Sequence, residues 1–350
     1  MPSKVSVGVV GTGGWGKNHV RVYNELKDLC SLKAICDVDR DRARTLGKKF
    51  GVDWYSSTKE ILSRNDIDAF SICTPTAEHF AVAIKALELG KNLLVEKPLA
   101  DSVNKAVQIY KMARKSDLKL MVGLIERFNR AVNVLKRLVS RGELGKIRYF
   151  SAGRISKYIP TMRDRGVILD LATHDIDVIR YILDLEPTDV YAESRNLIPG
   201  HSRGCETNAE IFLKYPGDVT AHIISEWLVS DTNQGRIRQL QVTGSLGTAL
   251  VSYIPQLVWK IDAVDIKSPF IDNAGHPNYS RDPGDRTLLS PRKWEEPLRI
   301  ELESFLKTIS KGSEPPVSGV DGIRVLEITE GALRSARSRS MKKLDYKRLR

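Results

Sequence analysis

Residues 5–16 read VSVGVVGTGGWG. The apolar positions Val5, Val7, Val9 and Val10 predict a buried strand, and Gly11-Thr12-Gly13-Gly14-Trp15-Gly16 ends it. A helical pattern follows at once, with Val22, Tyr23, Leu26 and Leu29 recurring on one face. Strand, G-x-G-x-x-G and helix in that order predict a dinucleotide site. Gly11 permits the tight turn, Gly13 lets a pyrophosphate approach the backbone, and Gly16 lets the helix pack against the strand. The phosphates then lie at a helix N-terminus, where free N–H groups and the dipole favour negative charge. A second strand over 31–36 ends in Asp37, twenty-one residues beyond Gly16 and placed to accept hydrogen bonds from the adenosine ribose. That carboxylate favours NAD, because it repels the 2′-phosphate of NADP. Arg40 and Arg42 offset the repulsion, so NADP stays possible.

Outward from this stretch the chain alternates helix and strand, as a doubly wound parallel sheet does. Helices are predicted over 40–50, 77–89 and from Ser102 through Ala113, with strands over 67–73, 92–95 and 119–125. A Rossmann-type domain over 1–125 results. The pattern then changes. A helix over 131–140 precedes β-rich segments at 147–155, 189–197, 208–215, 219–229 and 238–253, interrupted by one helix over about 170–183. Long strands with short turns predict an open, mostly antiparallel sheet. Residues 126–319 are expected to form this substrate-binding and oligomerisation domain, one sheet face covering helices and the other meeting a second subunit. Helices are predicted over 299–310 and 320–337, and residues 338–350 read as a basic tail. The stretch 262–297 holds five prolines and no periodicity, and reads as a flap or a mobile connection.

At 350 residues the chain has length for two cores. No apolar run approaches the roughly 20 residues needed to span a bilayer, and the opening residues do not read as a signal peptide. Cys30, Cys36, Cys73 and Cys205 lack C-x-x-C spacing, which points to reduced thiols and a cytoplasmic protein. The net charge of +12 is concentrated: residues 334–350 hold eight Lys or Arg and one Asp. A solvated helix extension explains that better than nucleic-acid binding. The remaining excess suits an anionic cofactor and substrate.

In an open parallel sheet, ligands bind beyond the carboxyl ends of the strands. That rule selects the glycine turn, Asp37, Thr74-Pro75-Thr76, Glu96-Lys97-Pro98 and Glu126-Arg127. An ammonium from Lys97 beside a substrate hydroxyl would stabilise the alkoxide that develops during oxidation. Asp170 and His174, four apart on a helix, are expected to share a face. The histidine is the natural proton acceptor near neutrality, and the carboxylate would bind a second hydroxyl or hold the imidazole. No third His or Cys accompanies them, so no metal is expected. Arg127, Arg130, Arg154, Lys157, Arg163 and Arg165 crowd the presumed cleft, and the planar guanidinium suits phosphate oxygens.

Taken in order, GTGGWG, CDVD, CTPTAEH, VEKPLA and GVILDLATHDID resemble the glucose-fructose oxidoreductase / inositol dehydrogenase / MocA family over nearly the whole chain. The resemblance implies a Rossmann domain followed by an α/β domain with an open sheet that builds dimers or tetramers, and a last long helix that returns to the first domain. It also implies roles. Lys97 matches the family's catalytic lysine, Asp170 its substrate-binding aspartate and His174 its proton-transferring histidine. Thr74, Pro75 and His79 match the cofactor loop, with Glu96 near the nicotinamide; Arg127, Arg163 and Arg165 are expected at an anionic sugar. Within the family, WGKNHVRVYNEL and RDRGVILDLATHDIDVIRYI look most like UDP-N-acetylglucosamine 3-dehydrogenases. An inositol or free-sugar dehydrogenase is the second reading, and a redox-inactive NAD-binding regulator the third.

Overall fold

A computed structural model describes residues 4–158, 165–198, 205–228, 237–262, 287–289 and 295–346. Six short strands, most of them apolar on both faces, make the first sheet: β1 (Val5–Val10), β2 (Cys30–Cys36), β3 (Asp53–Tyr55), β4 (Ala69–Ile72), β5 (Asn92–Glu96) and β6 (Leu120–Gly123). Double-sided burial is what a parallel sheet between helices demands. Those helices are α1 (Gly16–Glu25), α2 (Arg40–Phe50), α3 (Thr58–Leu62), α4 (Thr76–Glu88) and α5 (Val103–Lys115). The strands run parallel in the order β3-β2-β1-β4-β5-β6. Strand order reverses between β1 and β4, which opens the ligand crevice there. Pattern reading passed over β3 and α3, because three and five residues are too short to show a period.

After a 3-10 turn at Ile125–Phe128, the second unit runs α6 (Arg130–Ser140), β7 (Ile147–Lys157), α7 (Thr173–Leu183), β8 (Asp189–Arg195), β9 (Asn208–Lys214) and β10 (Thr220–Leu228). It continues with β11 (Ile237–Gly244), β12 (Gly247–Ser252), β13 (Leu257–Asp262), β14 (Thr287–Leu288), α8 (Pro297–Lys311), α9 (Gly319–Ser338) and β15 (Lys342–Lys343). The sheet order is β14-β13-β12-β11-β7-β10-β9-β8-β15. Its pairs are antiparallel except β7 with β10. Alternation along β10 buries Ala221, Ile223 and Trp227 in the core shared with α6 and α7. On the other face Phe212 is 44% exposed and stacks on His222.

Four expectations change. The stretch 238–253 is a hairpin of β11 and β12, turning where a Cβ on Gly244 would lie 2.0 Å from the Leu144 carbonyl oxygen. Helix α8, expected in the second unit, packs Leu298, Leu302, Phe305 and Leu306 into the first core instead. Helix α9 serves both: Ile323, Val325 and Leu326 join the first core, Ile328 and Ala332 the second. Nor is the start of the basic tail a solvated extension. There β15 pairs with β8, Leu344 and Tyr346 pack on the second core, and Tyr346 Oη donates to the Pro187 carbonyl at 2.8 Å. The apolar residues between the basic ones explain this. Of the stretch 262–297, Thr287–Leu288 pairs with β13, while 263–286 and 290–294 lie outside the described residues.

Arg127, expected at the substrate, ties the units together. Its guanidinium donates to Asp177 Oδ1 and Oδ2 at 2.6 and 2.9 Å and to Asp321 Oδ1 at 2.8 Å. Asp321 also accepts the Ser318 N–H and hydroxyl at 2.8 and 2.9 Å, fixing the start of α9. Among the described residues no helix is long and apolar enough to cross a membrane, and no group of three His, Cys, Asp or Glu is arranged for a metal ion. Burial pushes the Asp321 carboxyl up, but Arg127 and the Ser318 donors outweigh it and hold it below the usual range. A depressed carboxyl stabilises the fold above its unfolded value, about 3.9, and loses that contribution as pH falls through the folded value. Asp321→Asn is therefore expected to be less stable than the wild type at neutral pH, with the gap narrowing below about pH 4; chemical denaturation across pH reads it.

Candidate active site

The crevice begins at the glycine turn. Gly11 has φ +87°, and a Cβ there would meet the Cys73 and Thr74 backbone at 2.6 Å. A Cβ on Gly16 would lie 1.8 Å from the Gly11 carbonyl oxygen, so the turn and α1 are as close as glycine allows. Gly13 and Gly14 face open space instead, with nothing within 4 Å of an added Cβ. The backbone there is bare on the side where a pyrophosphate would lie, at the start of α1. Across the crevice, Thr74 Oγ1 is buried without a hydrogen-bond partner among the described residues. Bare glycines and an orphaned hydroxyl fit a dinucleotide.

Asp37, expected at the adenosine ribose, directly follows β2. Its carboxylate accepts the Thr12 N–H and hydroxyl at 2.8 and 3.0 Å, the Asp39 N–H at 3.0 Å and Arg42 Nη1 at 3.2 Å. Burial pushes this carboxyl up, yet the Asp39 and Thr12 donors and Arg42 hold it below the usual range. Arg42 stands against the carboxylate, while Arg40 makes no ion pair with it.

Two expected cofactor residues turn inward. His79 is fully buried, with Nδ1 2.9 Å from the Pro98 carbonyl and Nε2 2.9 Å from the Thr74 carbonyl. It braces two loops rather than presenting a nitrogen to the crevice, and burial pushes its pKa down. Glu96 is likewise engaged by protein donors: Oε1 accepts Trp15 Nε1–H at 2.7 Å and sits 3.0 Å from His19 Nε2, and Oε2 accepts the Lys97 N–H at 3.2 Å. Pro75 precedes the first turn of α4, where Thr76 Oγ1 accepts Arg165 Nη1.

Lys97 reaches across to the second unit. Its Nζ donates to the Asp170 main-chain oxygen at 2.6 Å and to Oδ1 at 3.0 Å. Asp170 lies in a π-helical turn, Ile168–Ala172, that leads into α7. The wider turn leaves a main-chain oxygen for the lysine to bind, a common use of such turns at functional sites. It also breaks the simple four-residue register with His174. The Asp170 carboxylate bonds Lys97 and Trp227 and faces Arg165 at 3.5 Å; no hydrogen bond to the imidazole is made, so the ring-holding role falls away. Burial raises the Asp170 carboxyl, but Lys97 and Arg165 outweigh it and keep it ionised.

His174 opens α7 with Nδ1 buried and unpartnered among the described residues. Burial first, then the positive charges of Lys97, Arg154 and Arg238, push it well below the usual histidine range. A neutral imidazole thus stands in the field of the Lys97 ammonium. Arg154 itself is in the core, not the cleft: it donates to Asp175 at 2.8 and 3.2 Å and to Glu126 at 3.0 Å. Arg130 pairs with Glu295. Arg163 lies outside the described residues. Pattern reading missed Glu206, whose Oε1 accepts the Ile168 N–H at 2.9 Å and caps the π turn. Gly166 makes room, since a Cβ would meet that carboxylate at 2.2 Å. A cap brought from 38 residues away leaves no local signal.

Residues 5–124 match a family described as "Oxidoreductase family, NAD-binding Rossmann fold", and residues 132–250 match the C-terminal domain of the GFO/IDH/MocA proteins. The chain is 26% identical to myo-inositol 2-dehydrogenase of Thermotoga maritima over 97% of its own length and 98% of that protein. It is 32% identical to UDP-N-acetylglucosamine 3-dehydrogenase of Acidithiobacillus ferrooxidans, over 53% of its length and 56% of that protein. Its fold superposes on levoglucosan dehydrogenase in complex with NADH and levoglucosan with a TM-score of 0.85, 20% identity and coverage of 98% and 100% of the two chains. Gly16→Ala, which drives a methyl into the Gly11 carbonyl, is expected to weaken NADH binding at least about tenfold; fluorescence titration of NADH measures it.

Proposed function

Since the chain belongs to the GFO/IDH/MocA oxidoreductases, matching both the NAD-binding and the C-terminal domain of that family, we propose that it oxidises a secondary hydroxyl of an uncharged cyclic polyol or sugar. The observation that carries this is the Lys97 ammonium of the first unit, held on Asp170 of the second, with a neutral His174 standing in its field. The glycine turn, Thr12, Thr74 and Asp37 hold NAD, which when bound supplies the hydride acceptor. His174 takes the hydroxyl proton, being uncharged at neutral pH. Lys97 donates to the developing alkoxide. Asp170 orients the substrate through a second hydroxyl.

An uncharged substrate is favoured over a nucleotide sugar by where the basic residues go. Arg127 and Arg154 are consumed by buried carboxylates, and Arg165 lies against Thr76 and Asp170. A relative matched from end to end is a myo-inositol 2-dehydrogenase. A UDP-N-acetylglucosamine-type substrate is the second reading, supported by the higher identity of the part-length relative. The half-exposed sheet face around Phe212 suits a second copy of the chain, and light scattering that finds monomer alone rejects this.

NADH production against inositols, anhydrosugars, free hexoses and UDP-sugars tests the substrate class. A larger kcat/KM for a UDP-sugar than for every uncharged polyol overturns it, and no turnover with any of them favours a regulator. Lys97→Met and His174→Ala are each expected to lower kcat by roughly two to four orders of magnitude. Because His174 must be neutral and its pKa is pushed down, kcat/KM is expected to hold through pH 6.5 and fall only at lower pH. An acid limb centred above pH 6.5 contradicts His174 as the base.

A further inference from the structure

The first helix carries a histidine that the scheme above does not use. His19 is fully buried beneath the glycine turn, with Nε2 3.0 Å from Glu96 Oε1. Glu96 links three things: Trp15 of the glycine turn, His19 of α1 and the main-chain N–H of Lys97. Gly123 leaves the space, since a Cβ there would lie 2.9 Å from the carboxylate. Glu301 of α8 is also fully buried, with neither carboxyl oxygen hydrogen-bonded among the described residues, and it feels the charge of Glu96.

Two carboxyls in one desolvated space do not both ionise. Glu96 has Trp15, His19 and the Lys97 N–H around it, and Glu301 has no donor, so the single charge belongs on Glu96. Burial and the neighbouring Glu96 charge push Glu301 well up. Glu96 resists its own burial because His19 and Trp15 bond it and Lys97 attracts it. Of the other titratable neighbours, Glu126 is ion-paired to Arg154 at 3.0 Å and adds its charge to the field on Glu301, while burial raises the Cys73 thiol at the end of β4 and lowers His79 of α4. Lys97, for its part, is pushed toward the neutral amine by burial and by Arg165, with Asp170 and Glu96 acting against them.

We propose that His19 is a positioning residue for Lys97: its bond to Glu96 Oε1 keeps a negative charge on Glu96, whose other oxygen takes the Lys97 main-chain N–H, and that charge adds to the Asp170 carboxylate bonded to Nζ in favouring the ammonium. The consequence for turnover rests on the role given to Lys97 above, but protonation can be read without substrate.

Acetic anhydride acylates the neutral amine alone, so the pH course of Lys97 acetylation in the full chain, followed by peptide mass spectrometry, reports its protonation. Glu96→Gln removes the charge and keeps the shape. His19→Leu removes the side-chain partner, and His19→Gln returns an N–H. The labelling midpoint is expected to fall by about one pH unit in Glu96→Gln and in His19→Leu, roughly a tenfold rise in neutral amine at a fixed lower pH, and to return in His19→Gln. A wild-type midpoint in either of the first two variants overturns the proposal. NADH titration checks that each variant is folded, and where His19→Leu fails that check Glu96→Gln decides. Failure of the functional reading looks different: Lys97→Met would keep wild-type turnover while the labelling shifts stood.

Discussion

The contact between Lys97 and Asp170 is the constraint around which the rest is built. Each side chain is mostly buried, 14% and 13% exposed, and each comes from a different unit. Removing two charges from water costs several kcal/mol per ion, and mutual attraction recovers that only with good geometry. Here the ammonium meets both a main-chain oxygen and a carboxylate oxygen of one residue. Such a pair contributes little net stability. What it specifies is position, because the ammonium of the first unit is fixed on Asp170 in the π turn of the second, four residues before His174.

Holding that position takes a second set of charges. The helix bearing His174 is anchored at Asp175 by Arg154 and Tyr253, and at Asp177 by Arg127 and Arg180. The π turn before it is capped by Glu206. In the sequence Arg127 and Arg154 look like ligands for an anion. They are instead satisfied by carboxylates, and each broken pair would leave an uncompensated buried charge. The polar density of this region therefore serves rigidity more than substrate charge.

The two units are not a simple succession along the chain. Helix α8 returns wholly to the first core and α9 crosses between the two, while Arg127 joins α7 to α9 at the boundary. The crevice is therefore lined from both units without depending on one linker. The strand order of the first sheet sets where the cofactor crevice opens, and the π turn brings the second unit's residues to its mouth.

Much of this was legible in the residues themselves. The glycine turn needs glycine at Gly11 and Gly16 for steric reasons that act over a few residues, so the dinucleotide site is written locally, as are the apolar strands beside it. Lys97 stood out because it follows a strand end of an open parallel sheet, and Asp170 and His174 through a helical spacing that the π turn then breaks. Burial and pairing over long separations left no such trace. Glu96 and His79 look like cofactor ligands until folding places donors and carbonyls against them. Arg127 and Arg154 look like free cations until two distant carboxylates close on each. Local sterics and periodicity are properties of neighbours in the chain; which charges meet in a desolvated space is decided by the packing of segments far apart in it.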